Sequence, residues 1–435
     1  MKREIEHSFI DWKARSRRKP LIVRGARQVG KTHSIQEFGR VHFKNLVSLD
    51  FERQQTLHRI FSSDLDASSI IQQIEAYVGQ RIIPGETLLF FDEIQECSRA
   101  LLALRYFHEQ MPDLHVVAAG SLLEFAMKDI SFPVGRVEFL WLYPLSFSEF
   151  LKNTGEEIID SRRPFLKDTI SLPEALHLKL MENIRRYFIV GGMPEAVSIW
   201  IETHSYIETA RIHRELVQAY RQDFAKYAGR TDRDCLDHIM DAVPARVGEQ
   251  IKYAPLYPEK RIETIKHTLN ILEQALVLRR VRSTSAMGLP LGAGVSDKVF
   301  KCIFIDIGLM GSMCGLDAGS ILKESDLMNT YRGSLAEQFI GQELLAMRGG
   351  SEDGKLYYWA RDSRSSSAEV DYVMADGPAI IPIEVKSGSA GRLKSIHLFL
   401  EEHPGSPQGL VFNSSALKEM PEQRLKFMPL YTVLR

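Results

Sequence analysis

Apolar runs and polar stretches alternate along the first 150 residues. Five apolar runs have the length of a strand, and segments with helical spacing separate them. We expect strands at residues 20–24, 46–51, 87–91, 115–119 and 137–142. Strands that alternate with helices predict a parallel sheet, so the predicted fold class is α/β, with a first domain over residues 1–150.

The pattern changes after residue 150. Helical spacing dominates residues 151–229, which a turn at Gly191-Gly192 interrupts. Residues 230–324 are predicted to form short helices followed by a β-ribbon, with strands at 276–282 and 299–305. Helices followed by a ribbon are typical of a winged helix-turn-helix, and we therefore predict a winged-helix-like domain there.

Residues 325–435 are predicted to form a second α/β unit. The pattern indicates a helix that ends at residue 347, three strands, a helix and a further strand. The predicted strands and the second helix are, in chain order, 356–360, 369–375, 379–385, 392–400 (helix) and 409–412. A serine cluster at 363–367 predicts a loop between the first two strands.

Composition narrows the class of protein. The chain has 435 residues, of which 44% are hydrophobic and 26% charged, so we expect a globular protein of several domains. Lys and Arg number 55 against 56 Asp and Glu, so any binding to nucleic acid must rest on local patches. No apolar run has membrane-spanning length, and the start, MKREIEHS, lacks a hydrophobic leader segment. We expect a cytoplasmic protein that does not bind membranes.

The strongest motif is a phosphate-binding loop. Residues 25–32 read GARQVGKT, which is G-x-x-x-x-G-K-T between a predicted strand and a predicted helix. Gly25 and Gly30 let backbone N–H groups face phosphate oxygens, Lys31 reaches the β- and γ-phosphates, and Thr32 binds Mg²⁺. The pattern therefore predicts an ATP site with Mg²⁺; the alternative is a glycine-rich turn.

Two carboxylates end the third predicted strand. Asp92 and Glu93 follow the apolar run 88–91. Asp92 is expected to hold the Mg²⁺ that accompanies ATP, and Glu93 is expected to polarise the attacking water. This pair favours hydrolysis over transfer of a phosphoryl group to a small molecule, and the alternative is a solvated strand end.

Two further residues are candidates for catalysis. Ser121 follows the fourth strand, where a polar side chain would contact the γ-phosphate or the water; the alternative is a helix N-cap. Arg136 precedes the fifth strand and is a candidate to reach the γ-phosphate of its own or a neighbouring subunit, as an arginine finger would in a homo-oligomer. The alternative is an ordinary surface arginine.

These motifs together resemble a large prokaryotic group of AAA-type ATPases in which a C-terminal region of unknown function follows the ATPase domain. The resemblance rests on the loop at 20–32, the run FFDEIQ at 90–95, Gly120-Ser121, Gly135-Arg136, YPLSF at 143–147 and GGMPE at 191–195. It implies ATP binding and hydrolysis. Members of the group usually have a serine-rich turn after the fourth strand, and here that polar role rests on Ser121 alone.

A local excess of basic residues lies in the predicted winged helix. Between residues 246 and 301 there are ten Lys or Arg residues against five Asp or Glu. A basic helix and ribbon are the features with which winged helices bind DNA, although such domains also act as protein spacers. A second basic run covers residues 13–19. DNA or RNA is therefore a candidate partner.

The C-terminal unit resembles the PD-(D/E)XK nuclease superfamily. Asp371 and Glu384 are near the ends of two predicted strands, and Lys386 follows two residues later. The resemblance implies that Asp371 and Glu384 bind Mg²⁺ or Mn²⁺, that Lys386 orients water, and that Glu337 on the preceding helix adds a metal contact. The alternatives are a salt bridge at a strand end, or a fold retained for binding without cleavage.

Two functions of different classes remain open at this point. The first is an ATPase that rearranges its C-terminal modules on a DNA or RNA substrate. The second is a nucleotide-dependent switch that binds a protein partner and in which the nuclease-like unit is inert.

Overall fold

The computed structural model describes residues 1–62, 64–121, 123, 135–224, 230–316, 333–347, 354–361, 368–386 and 393–434, and only the backbone of 230–232. The chain divides into two compact units, one built on residues 1–143 and one on residues 144–347 and 354–435. The predicted serine loop at 363–367 and the predicted first residue of the helix at 392 lie outside the described residues.

The described residues of the first unit form five strands and four α-helices. The strands are β1 Leu21–Arg24, β2 Asn45–Asp50, β3 Thr87–Asp92, β4 His115–Gly120 and β5 Glu138–Trp141. The helices are α1 Ile5–Ala14, α2 Lys31–His42, α3 Ala67–Val78 and α4 Ser98–Gln110, with short 3₁₀ helices at Gln55–Phe61 and Ile94–Glu96. All five predicted strands are confirmed within two residues at each end.

The five strands form one parallel sheet in the order β2-β3-β4-β1-β5. The α/β prediction is therefore confirmed for this unit. Every residue of β3 and β4 is buried, as expected for central strands of a parallel sheet that is covered on both faces. Because parallel strands end at a common edge, the residues that follow β1, β3 and β4 are brought together there.

The second unit begins with helices. In chain order they are α5 Phe147–Asn153, α6 Glu157–Asp160, α7 Glu174–Val190, α8 Pro194–Thr203, α9 Tyr206–Phe224, α10 Arg230–Ala242, α11 Tyr253–Leu256 and α12 Ile262–Gln274. Further along, the part of the chain that the structure describes has the helices α13 Ile307–Met313, α14 Ser334–Met347 and α15 Lys394–Glu402. Short 3₁₀ helices lie at Pro244–Arg246, Leu291–Gly294 and Pro421–Gln423. Between residues 151 and 224 the regular elements are helices, as the spacing predicts, and residues 225–229 of the predicted segment lie outside the described residues.

The strands of this unit, within the residues that the structure describes, form a mixed sheet of eight. They are β6 Leu278–Thr284, β7 Val295–Phe304, β8 Tyr357–Ala360, β9 Glu369–Asp376, β10 Ala379–Val385, β11 Gly409–Asn413, β12 Lys418–Met420 and β13 Leu425–Pro429. Their order is β12-β13-β11-β10-β9-β8-β6-β7. The chain order helix, three strands, helix, strand is present from α14 to β11, as predicted, and β12 and β13 are additional.

The ribbon that was predicted as a wing is continuous with this sheet. β6 pairs with β7 in antiparallel fashion and with β8 in parallel, through Arg282 and Tyr357. The ribbon therefore differs from a free-standing wing, because its inner strand is bonded on both sides. The predicted segments 151–229, 230–324 and 325–435 accordingly belong to one compact unit.

Among the described residues, no helix combines the length and the apolar character that crossing a bilayer requires.

Candidate nucleotide site and C-terminal carboxylate cluster

The phosphate-binding loop connects β1 to α2 at the C-terminal edge of the parallel sheet. Gly30 has φ 94° and caps α2, so it lies in the left-handed region that glycine tolerates best. A Cβ at Gly25 would lie 2.3 Å from the Leu142 carbonyl oxygen, so only glycine fits there. The first turn of a helix offers N–H groups without partners inside the helix, which suits a bound phosphate.

Lys31 is buried and points back into this loop. Its Nζ donates hydrogen bonds to the carbonyl oxygens of Gly25, at 2.9 Å, and Ala26, at 2.7 Å. Burial lowers the pKa of Lys31 to about 8, against the opposing charges of Glu93 and Asp92. An ammonium group held by two carbonyl oxygens is available to exchange them for phosphate oxygens.

Thr32 and Asp92 bring the loop and β3 together. The Thr32 hydroxyl donates to Asp92 Oδ2 at 2.8 Å. Burial raises the pKa of Asp92 to about 6, against the opposing effect of the Thr32 hydrogen bond. A hydroxyl and a carboxylate oxygen are the hard ligands that Mg²⁺ prefers, and these two residues therefore fit the ion that accompanies ATP.

Glu93 follows Asp92 in a strained conformation. Its φ and ψ are both 46°, the left-handed region that side chains other than glycine rarely adopt. Gln95, which the sequence analysis did not single out as a site residue, donates from Nε2 to Glu93 Oε2 at 2.6 Å. The side chain of Gln95 lies so close to Gly120 that a Cβ there would be 2.3 Å from Gln95 Oε1. Strain at such a position is typical of functional sites.

Ser121 follows β4, which lies between β1 and β3 in the sheet. Its side chain is buried, and its hydroxyl oxygen has no hydrogen-bond partner in the described structure. A buried hydroxyl usually has a partner, so this one has capacity for a ligand or water. Its place beside the loop edge agrees with the predicted role, which stays a prediction.

Arg136 lies away from this site in its own chain. It precedes β5, which runs parallel to β1 with Glu138 opposite Leu21, so it lies at the N-terminal edge of the sheet. The phosphate-binding loop follows the opposite, C-terminal edge. Arg136 Nε also binds Glu109 Oε1 at 2.9 Å. The predicted role in the same chain is therefore contradicted by position, while a role toward a neighbouring subunit stays a prediction.

Arg3 is a second residue that the sequence analysis missed. It is buried, and its guanidinium donates to the carbonyl oxygens of Val29, at 2.9 Å, and Tyr143, at 2.6 Å. These bonds tie the phosphate-binding loop to the segment that follows β5. No sequence pattern marks this arginine, because its partners are backbone atoms that only the fold brings near.

The basic residues of the ribbon are largely paired with acids. Arg280 and Arg282 both bind Glu273, and Arg282 also binds Asp297. In the N-terminal run, Arg15 binds Glu138 at 2.6 Å and Arg18 binds the Asp113 carbonyl at 2.6 Å. Arg280 and Arg282 are therefore engaged by acids of the same segment, and Glu138 offsets the charge of Arg15 in the N-terminal run.

Asp371 and Glu384 lie side by side in the second unit. The ladder between β9 and β10 pairs Tyr372 with Ile383, and these two acids are the next residues along each strand. Asp371 Oδ2 accepts a hydrogen bond from the Val385 N–H at 2.8 Å, and Glu384 pairs with Lys386. Burial and the Asp371 charge raise the pKa of Glu384, and Glu384 Oε2 has no partner in the described structure.

Lys301 on β7 is the residue at the centre of this cluster, and the sequence analysis counted it only among the basic residues. Its Nζ lies 2.6 Å from Glu337 Oε1, 2.6 Å from Glu369 Oε1 and 3.2 Å from Asp371 Oδ1. The side chain is 1% exposed. Burial alone would lower the pKa of Lys301, but these carboxylates outweigh it and raise the pKa well above its ordinary value.

Three family models match parts of the chain. Residues 17–151 match a model described as "AAA domain". Residues 181–320 match "Domain of unknown function (DUF8612)", and residues 332–433 match "Domain of unknown function (DUF4143)". No curated protein matches the chain significantly.

Several solved structures resemble the chain weakly. They include the Orc1 protein of Aeropyrum pernix in complex with DNA, at 9% identity and TM-score 0.29, covering 72% of this chain and 93% of that one. The RuvB Holliday junction branch migration motor of Thermotoga maritima has 14% identity and TM-score 0.26, covering 64% and 87%. AMPPCP-bound DnaA from Aquifex aeolicus has 11% identity and TM-score 0.27, covering 62% and 86%. TM-scores this low do not establish a shared fold.

In the first unit, the family match agrees with what the structure shows: the phosphate-binding loop, the order of the strands and the two carboxylates at the end of β3. The chain carries an AAA-type P-loop ATPase domain followed by two regions that match domains of unknown function.

Proposed function

We propose that this protein binds ATP with Mg²⁺ and hydrolyses it at the edge of the parallel sheet. The hydrogen bond between Thr32 and Asp92 carries the proposal, because it joins the phosphate-binding loop to the strand that supplies the acids. Measurement of phosphate release from ATP by the purified chain, with and without Mg²⁺, tests it. Absence of Mg²⁺-dependent release would contradict it.

Each residue has a distinct part in the proposed reaction. The loop around Gly25 and Gly30 and the Lys31 ammonium bind the phosphates, and Thr32 and Asp92 would hold Mg²⁺, which withdraws charge from the phosphate oxygens when bound. Glu93 accepts the proton of the attacking water, and Ser121 orients the γ-phosphate or that water. Lys31 lies close to Asp92 and Glu93, so a phosphate that binds the Lys31 ammonium also lies near Glu93, the proposed general base.

Gln95 is proposed to position Glu93. Gln95→Ala removes the donor to Glu93 Oε2 and should lower kcat by about tenfold while leaving KM nearly unchanged, since a general base works only when oriented. Gln95→Glu should lower kcat further through repulsion between the two carboxylates. Gln73→Ala, at an exposed position on α3, is the control. Equal kcat in Gln95→Ala and wild type would remove Gln95 from the mechanism.

We further propose that the protein forms homo-oligomers in which Arg136 acts on the nucleotide of a neighbour. Mixing Arg136→Ala with Lys31→Ala subunits should then restore part of the ATPase activity, because some mixed interfaces keep both groups. Arg105→Ala is the matched control, since Arg105 binds the same Glu109. Confirmed mixed assemblies without any rescue would exclude action in trans, and equal loss in Arg105→Ala would assign Arg136 a structural role.

The energy of hydrolysis is proposed to rearrange the second unit on a DNA or RNA substrate. The excess of basic residues between 246 and 301 supports this, although Lys301, one of the ten, is buried and paired with three acids outside this range. Retention on DNA should fall steeply with salt if phosphate contacts bind it, because such contacts release counterions. Stimulation of the ATPase rate by DNA or RNA would support the same proposal.

A nucleotide-dependent switch that binds a protein partner is the second candidate function. The pairing of Lys301 with three carboxylates favours it, because it engages Asp371 and Glu337, two of the three acids that the resemblance implies as metal ligands. An ATPase rate that is insensitive to nucleic acid, with no retention on DNA at low salt, would favour the switch over the nucleic-acid proposal.

A further inference from the structure

The carboxylate cluster of the second unit has the acids of a divalent-metal site, and its centre contains an ammonium group. Glu337, Glu369 and Asp371 come from α14 and β9, and all three have an oxygen within 3.2 Å of Lys301 Nζ. The nuclease resemblance implies that Asp371 and Glu384 bind Mg²⁺ or Mn²⁺ and that Glu337 adds a contact, so two of these three acids, Asp371 and Glu337, belong to the implied ligand set. Here they are occupied by a protein cation.

The remaining oxygens of these acids also have protein partners or close neighbours. Glu369 Oε2 accepts from Gln250 Nε2 at 2.6 Å, and Asp371 Oδ2 accepts from the Val385 N–H. Glu337 Oε2 lies against Gly248, where a Cβ would be 2.9 Å from it. Among the described residues, no group of three or more His, Cys, Asp or Glu is arranged to hold a metal ion. Glu384, the third acid of the implied ligand set, pairs with Lys386 and keeps one oxygen, Oε2, without a partner in the described structure. One carboxylate oxygen is too few for Mg²⁺ or Mn²⁺, so the cluster does not fit the ion that the resemblance implies.

Lys301 is built into the cluster by the fold. It lies on β7, opposite Val281 of β6, and so belongs to the ribbon that is continuous with the nuclease-like strands. Its side chain is almost fully buried, and the Tyr358 ring lies 5.8 Å from Nζ. A divalent ion bound to the same three oxygens would lie beside this ammonium, and the two like charges would repel each other.

We propose that the Lys301 ammonium is the resident cation of this cluster in place of a divalent metal ion. The cluster then stabilises the junction between the ribbon and the nuclease-like strands, and the unit does not cleave nucleic acid by a metal-dependent route. The assignment concerns residues outside the ATP site and stands independently of ATP hydrolysis.

Lys301→Met tests the proposal, because methionine has a similar length without the charge. Each variant is made in the full chain in an Asp92→Asn background, which weakens metal binding at the ATP site, and nucleotide is omitted. Electron paramagnetic resonance then measures bound Mn²⁺. Lys301→Met should bind about one Mn²⁺ more per chain than the Asp92→Asn parent, since its carboxylates are released as hard oxygen ligands. Mn²⁺ should also raise its melting temperature more than that of the parent.

The controls separate this site from unspecific binding. Lys298→Met, at an exposed position on the same strand, should gain no Mn²⁺. Lys301→Met combined with Asp371→Asn should lose most of the gained ion. A Lys301→Met variant that folds and gains no ion would overturn the proposal.

A second measurement tests the proposal even if the Lys301→Met variant does not fold. The Asp92→Asn parent and its Asp371→Asn derivative should bind Mn²⁺ equally, and neither should cleave DNA or RNA in Mn²⁺. Mn²⁺ binding or cleavage that depends on Asp371 would overturn the proposal and restore the metal site that the sequence implies. A failure of ATP hydrolysis would leave all of these results unchanged.

Discussion

Lys31→Ala should abolish tight ATP binding, and Glu93→Gln should retain binding while its turnover falls roughly 10²- to 10⁴-fold, the usual cost of losing an oriented base. The two effects differ because Lys31 contacts phosphate and Glu93 acts on water. The Lys31 ammonium is held by two loop carbonyl oxygens where the phosphates would bind. Glu93 accepts a hydrogen bond from Gln95, and it directly follows Asp92, which accepts a hydrogen bond from Thr32. Fluorescent-nucleotide titration measures binding, and phosphate release measures turnover.

Glu96→Gln is the matched control for Glu93→Gln. It makes the same chemical change three residues later at an exposed position, and its turnover should equal that of wild type. Turnover like that of wild type in Glu93→Gln would remove Glu93 from the mechanism. Tight ATP binding by Lys31→Ala would mean that the loop N–H groups suffice for the phosphates.

The nucleotide site could be predicted because its residues are local in sequence. The segment 25–32 folds as one loop, and Asp92 and Glu93 end one strand, so motif and strand pattern together place them. Parallel strands that end at one edge then bring the two segments together. The roles of Arg3 and Gln95 could not be predicted, because Arg3 binds backbone oxygens far along the chain and Gln95 depends on the space left at Gly120.

The C-terminal carboxylate cluster could be predicted only in part, because its residues are far apart in sequence. The positions of Asp371 and Glu384 follow from adjacent strands, which the alternating pattern predicts. Lys301 lies 70 residues before Asp371 and reaches the acids only because the ribbon joins the larger sheet. Pairing of β6 with β8 is a tertiary contact that the period of each strand does not specify. The sequence pattern therefore predicts where Asp371 and Glu384 lie, but it does not predict that the Lys301 ammonium reaches this cluster.

The turn at Gly191-Gly192 was predicted from sequence, and the structure explains why it requires glycine. The Gly192 N–H donates to Asp306 Oδ2 at 2.6 Å, and the Gly192 carbonyl accepts from the Leu145 N–H at 2.7 Å. Asp306 is buried and also caps α13 through the Leu309 N–H. One turn thus links the start of the second unit to a helix more than 100 residues later, so damage at this turn should affect the unit as a whole.

Gly192→Ala should therefore destabilise the second unit by about 3 kcal/mol or more, or prevent it from folding, because the clash is with backbone and cannot relax by rotation of a side chain. A Cβ at Gly192 would lie 2.2 Å from the Leu145 carbonyl oxygen, whereas a Cβ at Gly405 would meet nothing within 4 Å. Gly405→Ala is thus the matched control, and its urea unfolding curve should overlay that of wild type. Urea unfolding followed by circular dichroism measures the difference. A Gly192→Ala curve that overlays those of Gly405→Ala and wild type would show that the turn can shift away from Leu145 at little cost.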